Sequence, residues 1–252
     1  MRDIDKELLE ATKNGDLGKV IKLIELGADV NIVDKEGFTL LHLASKRGYT
    51  KIVSYFLKII PKMAEEKDEY GKTPLHWASW KGYTEIVSLL LKVAPKTAEE
   101  KDANNMTPLH YASDRGHTKV VRLLLKVAPE TAKEKDIFGR TPLHWASWAG
   151  YTKSVSLFLK ITPETAKEKN NYEQTPLHFA SVKGHTKIIS FFLTVVPDIV
   201  NVKNNNEETM LYVATKFKNT KTIQAFFTSI SIKLGTQKLE HKELKTKKKY
   251  IF

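Results

Sequence analysis

Five of the eight histidines in this 252-residue chain share one spacing: His42, His76, His110, His144 and His178, each 34 residues from the next. Imidazole is the side chain best suited to proton transfer near neutral pH and to metal ligation. Neither chemistry suits this arrangement. A metal needs several donors about 2 Å from one ion, whereas one histidine per repeat spreads them along a stack of helices that are each about 10 Å across. The chain has no cysteine, which excludes disulfides and thiolate metal sites. No glycine-rich phosphate loop follows a strand, and no Ser, Asp or Glu stands in a nucleophile setting. Each helical serine, such as Ser79 or Ser88, recurs by phase, and a catalytic residue is expected to stand out of a repeat. We therefore expect no catalytic residue, no metal and no cofactor. His117 and His185 share the phase of Tyr83 and Tyr151, which predicts surface or inter-helix residues.

What must position the histidines is a four-residue unit, Thr73-Pro74-Leu75-His76. It returns as Thr107-Pro108-Leu109-His110, Thr141-Pro142-Leu143-His144 and Thr175-Pro176-Leu177-His178, with weaker copies at Thr39-Leu40-Leu41-His42 and Thr209-Met210-Leu211-Tyr212. A fixed period of this length marks a solenoid of stacked units. Within residues 68–101, Asp68-Glu69-Tyr70-Gly71 reads as a turn. Thr73 is an N-cap and Pro74 a first helical residue, where its missing N–H costs nothing. The first helix runs through Leu75, Trp77 and Ala78 to Gly82. Thr84 is expected to cap a second helix whose stripe is Ile86, Val87, Leu89, Leu90 and Leu91. Two helices and a turn cannot bury that stripe alone, so neighbours must stack.

Upstream, Glu7 to Gly15 reads as a short amphipathic helix closed by glycine, and Leu17 to Leu26 as a second, ending at Gly27-Ala28-Asp29-Val30-Asn31. With the Thr-Pro-Leu-His copies, Gly82-Tyr83-Thr84-Glu85-Ile86-Val87 and Leu89-Leu90-Leu91, this pattern resembles the ankyrin-repeat family over about residues 5–230. The resemblance implies an all-α solenoid of about seven helix-turn-helix units with short projecting hairpin turns. It further implies that each motif histidine hydrogen-bonds backbone between adjacent hairpins. A concave binding face would be lined by hairpin tips and first-helix ends, and the function would be non-enzymatic protein binding. We divide the chain into an N-terminal capping unit at 1–33, five repeats over 34–202, a capping repeat at 203–230 and a basic tail at 231–252, helical or disordered.

One departure concerns length. The family's repeat is usually about 33 residues and closes its second helix with glycine. Here Pro61, Pro95, Pro129, Pro163 and Pro197 stand after the second helices. Pro95 is expected to stop the helix and open one further turn over Lys96 to Glu99, in a lengthened loop between repeats. The fourth turn position changes from Gly37, Gly71, Asn105 and Gly139 to Glu173 and Glu207, which predicts less sharp turns in the last two units.

The net charge is +12, and residues 216–252 hold ten Lys against two Glu, leaving +4 for residues 1–215. No apolar run is long enough to span a membrane, and the mixed-charge N-terminus does not read as a secretory signal; an intracellular, monomeric protein is expected. The residues that break the repeat are the informative ones. Tips carry Lys35, Glu36, Phe38, Tyr70, Lys72, Met106, Phe138, Arg140 and Tyr172; first-helix ends carry Lys46, Arg47, Trp80, Lys81, Asp114, Arg115, Trp148 and Lys183. All four tryptophans form two pairs three residues apart, Trp77 with Trp80 and Trp145 with Trp148. Trp77 and Trp145 share the phase of Leu43, Tyr111 and Phe179 and are expected to pack between repeats. The candidate partner-binding set is Tyr70, Lys72, Trp80, Lys81, Met106, Arg115, Phe138, Arg140, Trp148 and Tyr172. Aromatic anchors beside cations suit a protein partner with an acidic surface or peptide. The alternative is nucleic-acid or anionic-membrane binding through the lysine-rich C-terminal end.

Overall fold

Each repeat opens on a turn that its own first side chain organises. In the computed structural model, which describes residues 2–224 and 226–228, Asp68 Oδ1 accepts the backbone N–H groups of Tyr70 and Lys72, both at 2.9 Å. The same pair of bonds recurs on Asp102, Asp136, Asn170 and Asn204. A short polar side chain that satisfies two backbone donors holds a turn locally. The fourth turn residue is left-handed throughout: Gly71 at φ 73°, Asn105 and Glu173 at φ 57°, Glu207 at φ 59°. The expected loosening of the last turns is therefore not found. The two side-chain bonds over-determine the turn, together with the backbone bond from Glu173 N–H to Asn170 C=O at 3.0 Å. They force a non-glycine residue into a conformation that costs about 1 kcal/mol or more.

The turns introduce pairs of antiparallel helices. The first pair is α1 (Asp3–Asn14) with α2 (Leu17–Glu25), followed by α3 (Leu40–Arg47) with α4 (Thr50–Ile59). The series continues with α5 (Pro74–Lys81) and α6 (Thr84–Val93), α7 (Pro108–Asp114) and α8 (Thr118–Val127), and α9 (Pro142–Ala149) and α10 (Thr152–Ile161). It closes with α11 (Pro176–Lys183) and α12 (Thr186–Val195), and with α13 (Met210–Lys216) before further helical residues at 220–224 and 226–228. Among the described residues there is no strand, and two isolated bridges join Val33 to Thr39 and Lys203 to Thr209. The lysine-rich tail expected over 231–252, and the close of the last unit at 229–230, lie outside the described residues.

As the motif predicts, Thr73, Thr107, Thr141 and Thr175 hold extended backbone before a helix that starts on proline. The second helix differs. Thr84 is its first residue rather than its cap, and the cap, Tyr83, makes no side-chain bond to the helix. Its ring, and those of His117, Tyr151 and His185 at the same position, cover the glycine after the first helix of the preceding repeat, Gly48, Gly82, Gly116 and Gly150 in turn. A Cβ on Gly82 would meet the His117 ring at 2.4 Å. Ring-on-glycine packing between repeats decides that residue, over capping propensity.

First helices pack on first helices along the chain, α3 on α5, α5 on α7, α7 on α9, α9 on α11 and α11 on α13; second helices do the same from α4 to α12. The result is two layers with one continuous core. Ile86, Val87 and Leu90 are fully buried, each stabilising by about 1.5–3 kcal/mol relative to exposure. The extra length per repeat is a packed 3₁₀ turn rather than a slack loop: Pro95–Ala98 and its four counterparts. Thr97 Oγ1 donates to the Ala94 carbonyl at 2.6 Å, and Ala98 is buried.

Candidate protein-binding face

Hairpins and first helices meet at the motif histidines. In α5, His76 Nδ1 takes the Thr73 backbone N–H at 3.0 Å and lies 2.9 Å from the Thr73 hydroxyl. A backbone N–H can only donate, so Nδ1 is the acceptor and the proton sits on Nε2. Nε2–H then donates to the carbonyl of Met106, in the next hairpin, at 3.1 Å. The other four repeat this reach: His42 to Lys72, His110 to Arg140, His144 to Gln174 and His178 to Glu208, at 2.9–3.2 Å. Protonation would set a donor against a donor in a dry site. Burial accordingly holds His76 and His110 down at about 4 and His144 at about 3, the carbonyl bonds opposing it only in part, and burial also lowers His42 and His178. The resemblance implied this strut, and the structure bears it out. His117 and His185, expected at the surface or between helices, reach back to the carbonyls of Trp80 and Trp148, both at 3.0 Å.

The tips are joined directly as well. Tyr70 C=O accepts from Ala103 N–H, Asn104 C=O from Ile137 N–H, Phe138 C=O from Asn171 N–H and Tyr172 C=O from Asn205 N–H, at 3.0–3.2 Å. Backbone polarity is thus consumed between neighbours, and the tip side chains are what remains for solvent.

The turn acids do a second job that the sequence reading missed. Asp68 Oδ2 accepts the Trp77 indole N–H at 2.8 Å, Asp136 Oδ2 that of Trp145 at 3.1 Å and Arg140 Nε–H at 2.8 Å, and Asp102 Oδ2 accepts the Tyr111 hydroxyl. Burial, then this bond to Asp102, pushes the Tyr111 hydroxyl up. The readable signal was a constant spacing of nine residues from turn acid to aromatic. In the fifth repeat, where Phe179 has nothing to donate, the acid is replaced by Asn170.

Cations lie on these tethered rings and on the untethered Phe38, Trp80, Phe138 and Trp148 beside them. Lys46 Nζ is 4.3 Å from the ring centres of Phe38 and Trp77, and Lys72 Nζ is 4.7 Å from Trp77 and 5.0 Å from Tyr111. Trp80 is met by Lys81 at 4.4 Å and Arg115 at 5.1 Å; Arg140 lies 4.0 Å from Trp145 and 4.6 Å from Phe138; Lys183 lies 3.9 Å from Trp148. Each such contact is worth about 0.5–1 kcal/mol at an exposed site. Among the described residues no carboxylate comes within 4.0 Å of Lys46, Lys72, Lys81 or Lys183. Lysines at the edge of the stack behave differently: Lys67, Lys101 and Lys135 each pair with a glutamate of the next repeat.

Of the ten candidate residues, Tyr70, Lys72, Trp80, Lys81 and Arg115 come together around Trp77 and Tyr111. Lys72, His76, Trp77, Trp80 and Tyr111 line a hollow of about 220 Å³. Phe138 and Arg140 form a second group with Trp145. Trp148 turns to Phe179 of the next repeat, with ring centres 5.7 Å apart, whereas Trp77 and Trp80 meet edge-on at 5.8 Å. Met106 is half-buried, and Tyr172 stands exposed at its tip, 60% accessible. Phe38, expected among the free tip positions, is buried against the Trp77 ring at 5.3 Å. Trp77 and Trp145 are half-buried with their N–H groups engaged, in keeping with the packing role expected of them. Trp80 is half-buried and Trp148 is 40% exposed. Neither donates its indole N–H among the described residues.

Comparison with known proteins matches this architecture. A family model for ankyrin repeats fits three times, over residues 8–100, 93–167 and 160–237. Ankyrin repeat domain-containing protein 40 of Homo sapiens is 43% identical over 58 residues, 23% of this chain and 16% of that protein. Acyl-CoA-binding domain-containing protein 6 of Xenopus tropicalis is 38% identical over 58 residues, 23% of this chain and 20% of that protein. Ankyrin repeat domain-containing protein 39 of Homo sapiens is 36% identical over 56 residues, 22% and 31% of the two chains. The matched stretch thus spans less than a third of the length of these relatives. With family matches running through most of its length, and with the capped helix pairs and histidine struts described above, the chain belongs to the ankyrin-repeat family.

Proposed function

We propose that this protein is a non-enzymatic binding scaffold that captures an acidic segment of another protein on the hairpin and first-helix face. The observation that carries the reading is the ladder of cations on aromatic rings, with no carboxylate against its lysines among the described residues. Rigid tethers from Asp68, Asp102 and Asp136 set the rings in place before binding, which lowers the ordering cost of association. Trp80 and Trp148 supply apolar area and an open indole donor, the kind of residue on which interface energy concentrates. A carboxylate laid along Lys46, Lys72 and Lys81 meets charge already partly stripped of water by the rings beneath. In this reading the units at 1–33 and 203–230 cover the ends of the stack, the monomer is the binding unit, and a cysteine-free chain fits an intracellular setting.

The test is panning of a randomised displayed-peptide library on the intact protein. The selected peptides should be rich in Asp and Glu and should lose binding to the Trp80→Ala, Trp148→Ala double variant. Selected peptides without acidic bias, or with equal affinity for the variant, would defeat the proposal.

A further inference from the structure

The second helices carry a different surface. Together α4, α6, α8, α10 and α12 hold nine Lys or Arg, all exposed, and a single acid, Glu85. Their net charge of +8 exceeds the +4 of residues 1–215 as a whole, so the remainder of that stretch is net negative at −4. None of the nine pairs with a carboxylate among the described residues. The acids lie instead outside these helices, and Glu100, Glu134 and Glu168 among them are paired with the edge lysines.

An apolar band runs beside these charges. Ile59, Val93, Val127, Ile161 and Val195, at one repeat phase, are each 39–45% exposed. Phe191 adds to the band at the preceding turn of α12, and with Ser156, Leu159, Lys160 and Val195 it lines a notch of about 260 Å³. Residues two helical turns apart share a helix face, so Lys51, Lys58 and Ile59 lie on one side of α4; Lys119, Lys126 and Val127 of α8 and Lys153, Lys160 and Ile161 of α10 copy that placement, whereas α6 has Glu85 for the first lysine and α12 has Thr194 for the second. What singles this face out is the recurrence, one partly exposed aliphatic group per repeat beside lysines that meet no carboxylate among the described residues. They suit an interface where apolar side chains enter the acyl boundary while lysines reach the headgroups.

We infer that the second-helix face docks on an anionic lipid membrane. Nucleic acid fits less well, because base stacking calls for aromatic rings and this band is mostly aliphatic. The face is distinct from the cation–aromatic ladder, so a docked molecule keeps the hairpins and first helices free to hold a protein partner. This inference does not rest on the partner proposed for that ladder.

The test is co-flotation of the intact chain with phosphatidylcholine vesicles containing about 30 mol% phosphatidylserine, and with pure phosphatidylcholine vesicles, at low and at about 0.5 M salt. Binding should need the anionic lipid and fall at high salt. Lys58→Gln, Lys92→Gln, Lys126→Gln and Lys160→Gln together should weaken it at least tenfold, since each surface lysine is worth about fivefold. Val93→Ser, Val127→Ser and Ile161→Ser should weaken it independently, with an unchanged melting temperature showing that the stack is intact. The inference is overturned if the four-lysine variant binds vesicles like the parent. It is equally overturned if binding disappears wholly with Lys245→Gln, Lys247→Gln, Lys248→Gln and Lys249→Gln. Tighter binding to a single-stranded oligonucleotide than to vesicles, indifferent to the serine substitutions, would identify a nucleic-acid surface instead.

Discussion

Lowering the pH from 7 to 5 should destabilise the stack well before its carboxylates titrate. Each motif histidine is neutral when folded, with its proton fixed on Nε2, and burial holds His76 and His110 at about 4 and His144 at about 3, against an ordinary 6.5. A folded value below the unfolded one means that the unfolded chain takes the proton first. Stability is therefore complete above pH 6.5 and is lost as the pH falls toward 4. Between pH 7 and 5 each of the three histidines removes about 2 kcal/mol. Together they remove about 6 kcal/mol, comparable with the whole stability of many domains. His42 and His178 act in the same direction. The Asp5 carboxylate, held down at about 2 first by its bond from Arg2, contributes only in a lower window, from 3.8 downward. Urea midpoints read by far-ultraviolet circular dichroism at half-unit steps from pH 7 to 4.5 provide the assay. His76→Gln removes one titrating group and should flatten the slope by about 1.4 kcal/mol per pH unit, whatever it costs in stability at pH 7. A midpoint independent of pH between 6.5 and 5, or an unchanged slope in the variant, would refute the strut as described.

Three further outcomes follow from the turns and tethers. Asp68→Ala leaves the Tyr70 and Lys72 N–H groups and the Trp77 indole without their acceptor, and should lower stability by about 3 kcal/mol, with a shift in tryptophan emission. Glu173→Gly and Glu207→Gly relieve left-handed backbone and should each raise stability by about 0.5–1 kcal/mol in urea melts, the loss of exposed pairs to Lys169 and Lys203 weighing little against it. Gly82→Ala puts a Cβ against the His117 ring at a φ of 78° and should cost about 2 kcal/mol or more, read from the same melts.

Much of the fold was legible because one motif fixes the phase of every residue. Thr73 and Pro74 announce a helix start, Gly82 its end and Pro95 the extra turn, and the structure follows them. The failures are places where a longer-range contact overrides a local rule. Thr84 is a better cap than Tyr83 by propensity, yet the ring is needed over Gly48. Glu173 is a poor left-handed residue, yet Asn170 holds it there. Phe38 occupies a tip position, and Trp77, from the next repeat, buries it. The tethers from Asp68, Asp102 and Asp136 were visible as a spacing of nine but belong to no single element. The basic second-helix face escaped because charge was counted by stretches of chain, where the lysine-rich end dominates. Counted by helix, the same residues stand out. Exposure at Trp148 could be read from the phase, but its neighbours Lys183 and Phe179, like Arg115 beside the half-buried Trp80, come from the next repeat and needed the stack.

The central claim is that the cation–aromatic ladder holds a protein partner. Its most direct test is the dissociation constant of a partner captured from the native cell, measured for the parent and for the Trp80→Ala, Trp148→Ala variant across a range of salt. The account predicts binding at least 30-fold weaker in the variant, a loss of about 2 kcal/mol or more, and a parent affinity that falls as salt rises. Equal affinities for the two proteins, indifferent to salt, would contradict it.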